Sequence, residues 1–211
     1  MTQRVDGRDA RWAQHRARRR RELVQSTLRA IRKHGPGVGM DEIAAEARTS
    51  KTVIYRHFGG RTGLYLAVVE AVDEVILEDL QAAMSGTDPE DLVGLVRDMV
   101  ASYLSLVARD PEIYRYVVTR PMLDRPVTED PVAGLTDRIG DQVASVIAAH
   151  LRRTGQDDAC AATWGHGLVG FVRAAADHWM TSGTPKDHTE VVQHVTALFA
   201  PAFAAAVPHR S

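Results

Sequence analysis

Residues 41–64 read Asp-Glu-Ile-Ala-Ala-Glu-Ala-Arg-Thr-Ser-Lys-Thr-Val-Ile-Tyr-Arg-His-Phe-Gly-Gly-Arg-Thr-Gly-Leu. The pattern predicts two short helices, 40–47 and 50–58, joined by a tight turn, then a break and a longer helix opening at Arg61. Two helices that cross closely need a small residue at the crossing and apolar residues beneath. Ala44 suits the crossing, and Ile43, Ala47, Ile54 and Phe58 supply the core. Ser50 is a good N-cap, its hydroxyl oxygen accepting from a free backbone N–H. Lys51 and Arg61 each open a helix, where a cation opposes the helix dipole at a cost of about 0.3–1 kcal/mol. A phosphate bound at the helix end reverses that sign, because the free N–H groups and the cation then act together. The stretch therefore points to a polyanion.

Charge along the chain points the same way. The net formal charge is −1, but residues 1–62 hold 15 Lys or Arg against 6 Asp or Glu, and residues 63–211 hold 11 against 21. A segment of +9 on a body of −10 suggests that one part meets a polyanion and the other does not.

Working outward, residues 1–15 carry little apolar pattern and are expected to form a flexible basic arm. Leu23, Val24, Thr27, Ala30 and Ile31 mark one buried helix face, which Gly35-Pro36-Gly37 terminates. After Arg61, Leu64, Ala67, Val68, Ala71, Val75 and Ile76 repeat at helical spacing up to Gly86. Asp88-Pro89, Asp110-Pro111 and Asp130-Pro131 each place a capping carboxylate before a proline suited to a first helical position. Gly155 and Gly183 mark helix ends. These signals predict helices near 89–109, 111–120, 131–154, 157–181 and 187–205, and no segment alternates with period two. The expected fold is all-α with about nine helices.

From Leu23 to about Leu66 the chain resembles the DNA-binding domain of the TetR family of bacterial regulators. The resemblance is carried by Ile43-Ala44, Ser50-Lys51, Tyr55-Arg56-His57-Phe58, and Arg61 with Leu64, with Gly35 ending the first helix. It implies an N-terminal three-helix helix-turn-helix domain (16–62) and a C-terminal helical effector-binding and dimerisation domain (63–211). The 50–57 helix would enter the major groove of a double-stranded operator. Lys51, Thr52, Val53 and Arg56 would then face base edges, the Val53 methyls meeting thymine methyls. Tyr55, His57 and Arg61 would hold phosphates, with Ser50 at the helix start; Arg16 and Arg18–Arg21 would add phosphate or minor-groove contacts. Three residues depart from the family pattern. Arg48 stands where the turn usually has Gly, so either the turn differs or Arg48 is tolerated there and reaches a phosphate; Gly39 and Gly60 replace hydroxyl residues.

For the C-terminal part, residues 157–181 and 187–205 contain Trp164, Leu168, Phe171, Trp179, Val191, Val195, Leu198 and Phe199. That is more apolar surface than a terminal helix pair buries alone, so these helices are expected to pair two subunits. Gly165, Gly167 and Gly170 would allow the close approach. Two-fold symmetry would match a palindromic operator. Candidate effector-lining residues are Tyr103, Leu106, Tyr114, Val117, Met122, Ile147, Trp164, Leu168 and Phe171, whose apolar character suits a hydrophobic or amphipathic ligand. The Arg173–Trp179 segment resembles that of actinobacterial family members, some of which answer to fatty-acyl thioesters.

Other classes find little support. The nine histidines include no HExxH and no pair at i, i+4. The acidic pairs Asp73-Glu74 and Glu78-Asp79 are expected to be a solvated face. There is no phosphate-binding glycine loop and no nucleophile elbow, so neither enzyme activity nor a cofactor or metal is expected. No apolar run reaches the roughly 18–20 residues of a membrane span. Cys160 is the only cysteine, which suits a reducing cytoplasm and a buried apolar position. The expectation is an effector-responsive DNA-binding regulator, a dimeric repressor; the alternative is an activator or an architectural protein without an effector.

Overall fold

A computed structural model describes residues 7–88, 91–119, 131–182 and 187–205. Among these residues there are nine helices and no strand. They are α1 (Gly7–His34), α2 (Met40–Glu46), α3 (Lys51–Phe58), α4 (Arg61–Ser85), α5 (Leu92–Arg109), α6 (Pro111–Thr119), α7 (Pro131–Arg153), α8 (Ala161–Thr181) and α9 (His188–Ala205).

Three boundaries differ from expectation for local reasons. Helix α8 begins at Ala161 rather than 157, because the Asp157 carboxylate accepts from the Ala159 N–H (3.1 Å) and holds the preceding residues in a turn. Residues 7–15, expected within a flexible arm, are helical. The segment Asp9–Gln14 contains no Gly or Pro, so the helix nucleated by the packed residues from Leu23 onward propagates backward at little cost. Residues 1–6 lie outside the described residues. Helix α5 starts at Leu92 rather than 89. Its N-cap is Asp91, whose carboxylate accepts from the Gly94 N–H (2.8 Å), so the capping Asp is Asp91 and not Asp88. Pro89, Asp130 and Gly183 lie outside the described residues.

The described chain clusters into two units. The first takes residues through Val72 together with Glu112–Thr119 of α6. Its interior holds Leu23 and Ile31 of α1, Ile43 of α2, Ile54 of α3 and Leu64 and Tyr65 of α4, each at most 1% exposed. Burying each such side chain contributes about 1.5–3 kcal/mol before the entropy cost is counted. The 3–4 spacing of α1 from Leu23 is thus a genuine core face. Tyr65 also donates its hydroxyl hydrogen to the Val117 carbonyl (2.7 Å), and its ring lies 5.8 Å from that of Tyr116.

The second unit takes Asp73–Pro111 and the described residues from Pro131 onward. Within it α8 packs along α7, and α9 along α5. Gly165 makes the first pairing possible, because a Cβ there would lie 2.6 Å from the Ala144 backbone nitrogen. Gly165 therefore serves packing inside the subunit and not approach between subunits, whereas Gly167 and Gly170 face open space. Leu168, Val191 and Val195 are likewise buried within the chain. Asp73, expected on a solvated face, is buried and ion-paired with Arg138; Glu74 and Glu78 are exposed, and Asp79 lies 3.7 Å from Arg109. Cys160 is half-buried at the N-cap of α8 rather than in the core.

Candidate nucleic-acid interface

The geometry of the 41–64 stretch follows from its caps. Gly39 precedes α2 with extended backbone and no side-chain cap; the Glu42 carboxylate folds back over the space a side chain at 39 would occupy. Helix α2 closes with two backbone bonds, Thr49 N–H to the Ala44 carbonyl and Arg48 N–H to the Ala45 carbonyl, both 3.0 Å. This 6→1 and 5→2 pair is a Schellman ending, which requires a left-handed residue after the C-cap. Here that residue is Arg48, at φ +49°, the one non-glycine of positive φ among the described residues. A side chain there costs about 1–2 kcal/mol relative to glycine. The turn keeps its shape, and Arg48 carries the strain with its side chain exposed.

Ser50 then caps α3, its hydroxyl accepting from the Val53 N–H (3.4 Å). Ile54 and Phe58 point into the unit, and the outward face carries Lys51, Thr52, Tyr55 and Arg56, all exposed. Val53 and His57 flank it, half-buried. Tyr55 is thus not a core tyrosine. Lys51 Nζ lies 2.9 Å from Asp41 Oδ1 across the turn, and this hydrogen bond and charge raise its pKa. Both partners are solvent-exposed, so a phosphate can compete for the ammonium.

Three residues set the end of α3, a role that the sequence did not reveal. Arg20 of α1 donates to the His57 carbonyl (2.9 Å), and its guanidinium sits 4.4 Å over the Phe58 ring. It thereby satisfies an orphan carbonyl and complements the helix dipole. Part of the basic run is therefore structural, since Arg18 and Arg19 also pair with Glu22. Gly59 closes α3 in the left-handed region at φ +73°. Gly63 is the third: a Cβ there would fall 1.8 Å from the Phe58 carbonyl oxygen. Only glycine lets the first turn of α4 abut the end of α3. A Gly four residues past the Phe58-Gly59 break was the available clue, but close approach and flexibility have the same local signature.

The electrostatics around this end are cationic. Partial burial lowers the His57 pKa first, and Arg56, Arg19, Arg20 and His15 lower it further. Arg61, at the start of α4, is half-buried, and its Nε is buried without a hydrogen-bond partner. Its charge opposes the rise in the Tyr116 pKa that burial and Tyr65 produce. The nine predicted interface residues thus gather on the turn, α3 and the start of α4, with Arg61 drawn furthest inward.

The predicted effector-lining residues are less coherent. In the second unit Ile147 and Leu168 are buried, Tyr103, Leu106 and Trp164 half-buried, and Phe171 exposed. The Phe171 ring meets Phe199 edge-on at 5.1 Å, on the outer side of the α8–α9 pair. Tyr114 and Val117 belong to α6 and cluster with the first unit, and Met122 lies outside the described residues. Among the described residues no group of three or more His, Cys, Asp or Glu could hold a metal ion, and no helix is long and apolar enough to cross a membrane.

Comparison with known proteins agrees with this geometry. A family model described as "Bacterial regulatory proteins, tetR family" matches residues 23–68, and one described as "Tetracyclin repressor-like, C-terminal domain" matches residues 79–210. A helix-turn-helix-type transcriptional regulator of Mycobacterium tuberculosis is 36% identical over 205 residues, covering 94% of this chain and 82% of that protein. The HTH-type transcriptional activator FasR of Mycolicibacterium smegmatis is 30% identical over 156 residues, 74% of this chain and 68% of FasR. Among solved structures, a transcriptional regulator from Saccharomonospora viridis in complex with choline superposes with a TM-score of 0.69 at 19% identity, covering 87% of this chain and 96% of that one.

Proposed function

The chain belongs to the TetR family and is a DNA-binding transcriptional regulator, not an enzyme, and from that premise we propose that it is an effector-responsive repressor acting as a homodimer on a palindromic operator. The observation that carries the DNA-reading part is the exposed face of α3, with Lys51, Thr52, Tyr55 and Arg56 outward and Ile54 and Phe58 inward. A face of cations, a hydroxyl and a phenol that fills no core position matches the donor needs of phosphates and base edges. Residues 16–62 are assigned to DNA reading, with Arg48, Ser50, Val53, His57 and Arg61 completing the contact set. Residues 63–211 are assigned to effector binding and dimerisation.

For dimerisation, the support is the α8–α9 surface. Phe171 is 39% and Leu198 59% exposed, beside the open-faced Gly167 and Gly170. An apolar stripe of that kind, next to glycines that admit a second backbone, fits two helices from each subunit. For the effector, a small hydrophobic or amphipathic molecule, including an acyl-type ligand, fits Tyr103, Leu106, Ile147, Trp164 and Leu168. Such a ligand can release DNA only through a higher affinity for a conformation that does not bind the operator. Activation is the second reading, favoured by FasR, which is named an activator.

The test is selection of binding sites from random duplex DNA, followed by titration of the selected site. A palindromic, salt-sensitive site is the expected result; no sequence preference at any accessible concentration would remove the proposal. Lys51→Ala and Tyr55→Ala are each expected to cost about 1–3 kcal/mol of binding with the fold intact. Unchanged affinity in both variants would contradict the placement of α3. Transcription of a reporter from the selected site separates repression from activation.

A further inference from the structure

We propose that the amino-terminal part of α1, residues 11–20, is a second DNA-contacting element that lies on the duplex flanking the base pairs read by α3. The proposal rests on the DNA-reading role of α3 and extends the contacts expected of Arg16 and Arg18–Arg21 to a helical face that includes Trp12. Residues 11–18 of α1 are all exposed, although they continue a helix whose later turns form the core of the first unit. Trp12 is 60% exposed, the highest exposure of any large apolar side chain described. Positions 12, 15, 16, 19 and 20 recur at i, i+3, i+4, i+7 and i+8 and so share one face. That face carries Trp12, His15, Arg16, Arg19 and Arg20.

This face runs into the end of the reading helix. Arg20 caps α3, and His15, Arg19 and Arg20 all lie close enough to His57 to lower its pKa. The cationic surface is therefore continuous from α3 onto α1. A helix of ten residues is about 15 Å long, the rise of roughly four base pairs. An exposed indole beside arginines suits the edge of a minor groove, where apolar side chains wedge at base steps and arginines enter. A lipid surface fits less well, because binding one requires an apolar helix face. Residues 11–21 offer only Trp12, Ala13 and Ala17 as apolar groups.

The experiment uses the full chain, the selected site as a trimmed duplex, and the same site extended by about eight base pairs on each side. The wild type is expected to bind the extended duplex several-fold tighter, whereas Trp12→Ala/Arg16→Gln binds both alike. Loss of the Arg16 contact should reduce the slope of log K against log salt by about 0.9 per chain. DNA should quench a fluorescence component absent from Trp12→Phe; the remaining tryptophans are Trp164 and Trp179. Equal wild-type affinity for both duplexes with no Trp12 quenching overturns the proposal. So does quenching by phosphatidylglycerol vesicles but not by DNA. Failure of the wild type to select any sequence overturns the α3 reading and this inference together.

Discussion

Arg48 concentrates the tension between fold and function in one residue. The Schellman ending of α2 demands a left-handed residue, and Arg48 adopts φ +49° without a glycine's freedom. Replacing it with glycine removes about 1–2 kcal/mol of strain and returns part of that as unfolded-state entropy. Arg48→Gly is therefore expected to stabilise by about 1 kcal/mol, raising Tm by about 2–4 °C. Weaker operator binding by the same variant would show that the side chain is kept for a phosphate. His57 gives a second prediction. Its folded pKa lies below 6.5, so the neutral ring's stability contribution is present above pH 6.5 and is lost as pH falls toward the lower folded value. In the proposed complex a DNA phosphate beside His57 would act in the opposite sense and raise its pKa, so that binding takes up a proton. Operator affinity should tighten as pH falls from about 7.5 to 6, by at most about tenfold per pH unit per protomer. His57→Gln should abolish the dependence, as fluorescence anisotropy at several pH values would reveal.

At the scale of elements, α3, the proposed reading helix, is held at both ends by groups outside itself. Ser50 caps its start; Arg20 and Gly63 secure its finish. Gly63→Ala puts a methyl against a backbone oxygen that no rotamer change can move, so destabilisation of about 3 kcal/mol is expected. Denaturant unfolding measures that cost directly. Because α4 would have to back away from α3, operator affinity should fall further than the loss of folded protein explains. An affinity that tracks the folded fraction alone would mean that α4 does not position α3. The helices themselves were largely legible. The 3–4 spacing from Leu23, Ser50 before Lys51, and Gly35 and Gly155 at helix ends each rest on interactions within a few residues. The errors arose where neighbouring signals competed, as with Asp88-Pro89 against Asp91. They also arose where a helix continued without its own apolar face, as in residues 7–15.

For the whole molecule, the open question is what covers the outer face of α8 and α9. Leu198→Glu together with Phe171→Glu should shift a dimer toward monomer in sedimentation equilibrium while helicity is retained. Palindrome binding should weaken much more than binding to a single half-site, since only the former needs two linked heads. A double variant that stays dimeric would exclude this face as the interface.

What the sequence determined by itself is what local chemistry determines: the number of helices and most of their limits, the turn, the N-cap at Ser50, and the charge split between the basic first 62 residues and the acidic remainder. The outward face of α3 also followed, because its period identifies Ile54 and Phe58 as the inward residues. Tertiary structure decided what depends on residues far apart in the chain. Arg20 caps a helix 37 residues away, Asp73 is buried against Arg138, Gly165 belongs to the α7–α8 pairing rather than to a dimer, and α6 clusters with the first unit. A charge, a glycine or an aromatic has the same local signature whether it faces water, a neighbouring helix or a second subunit. Only the packing that brings its partner within a few ångströms distinguishes these roles.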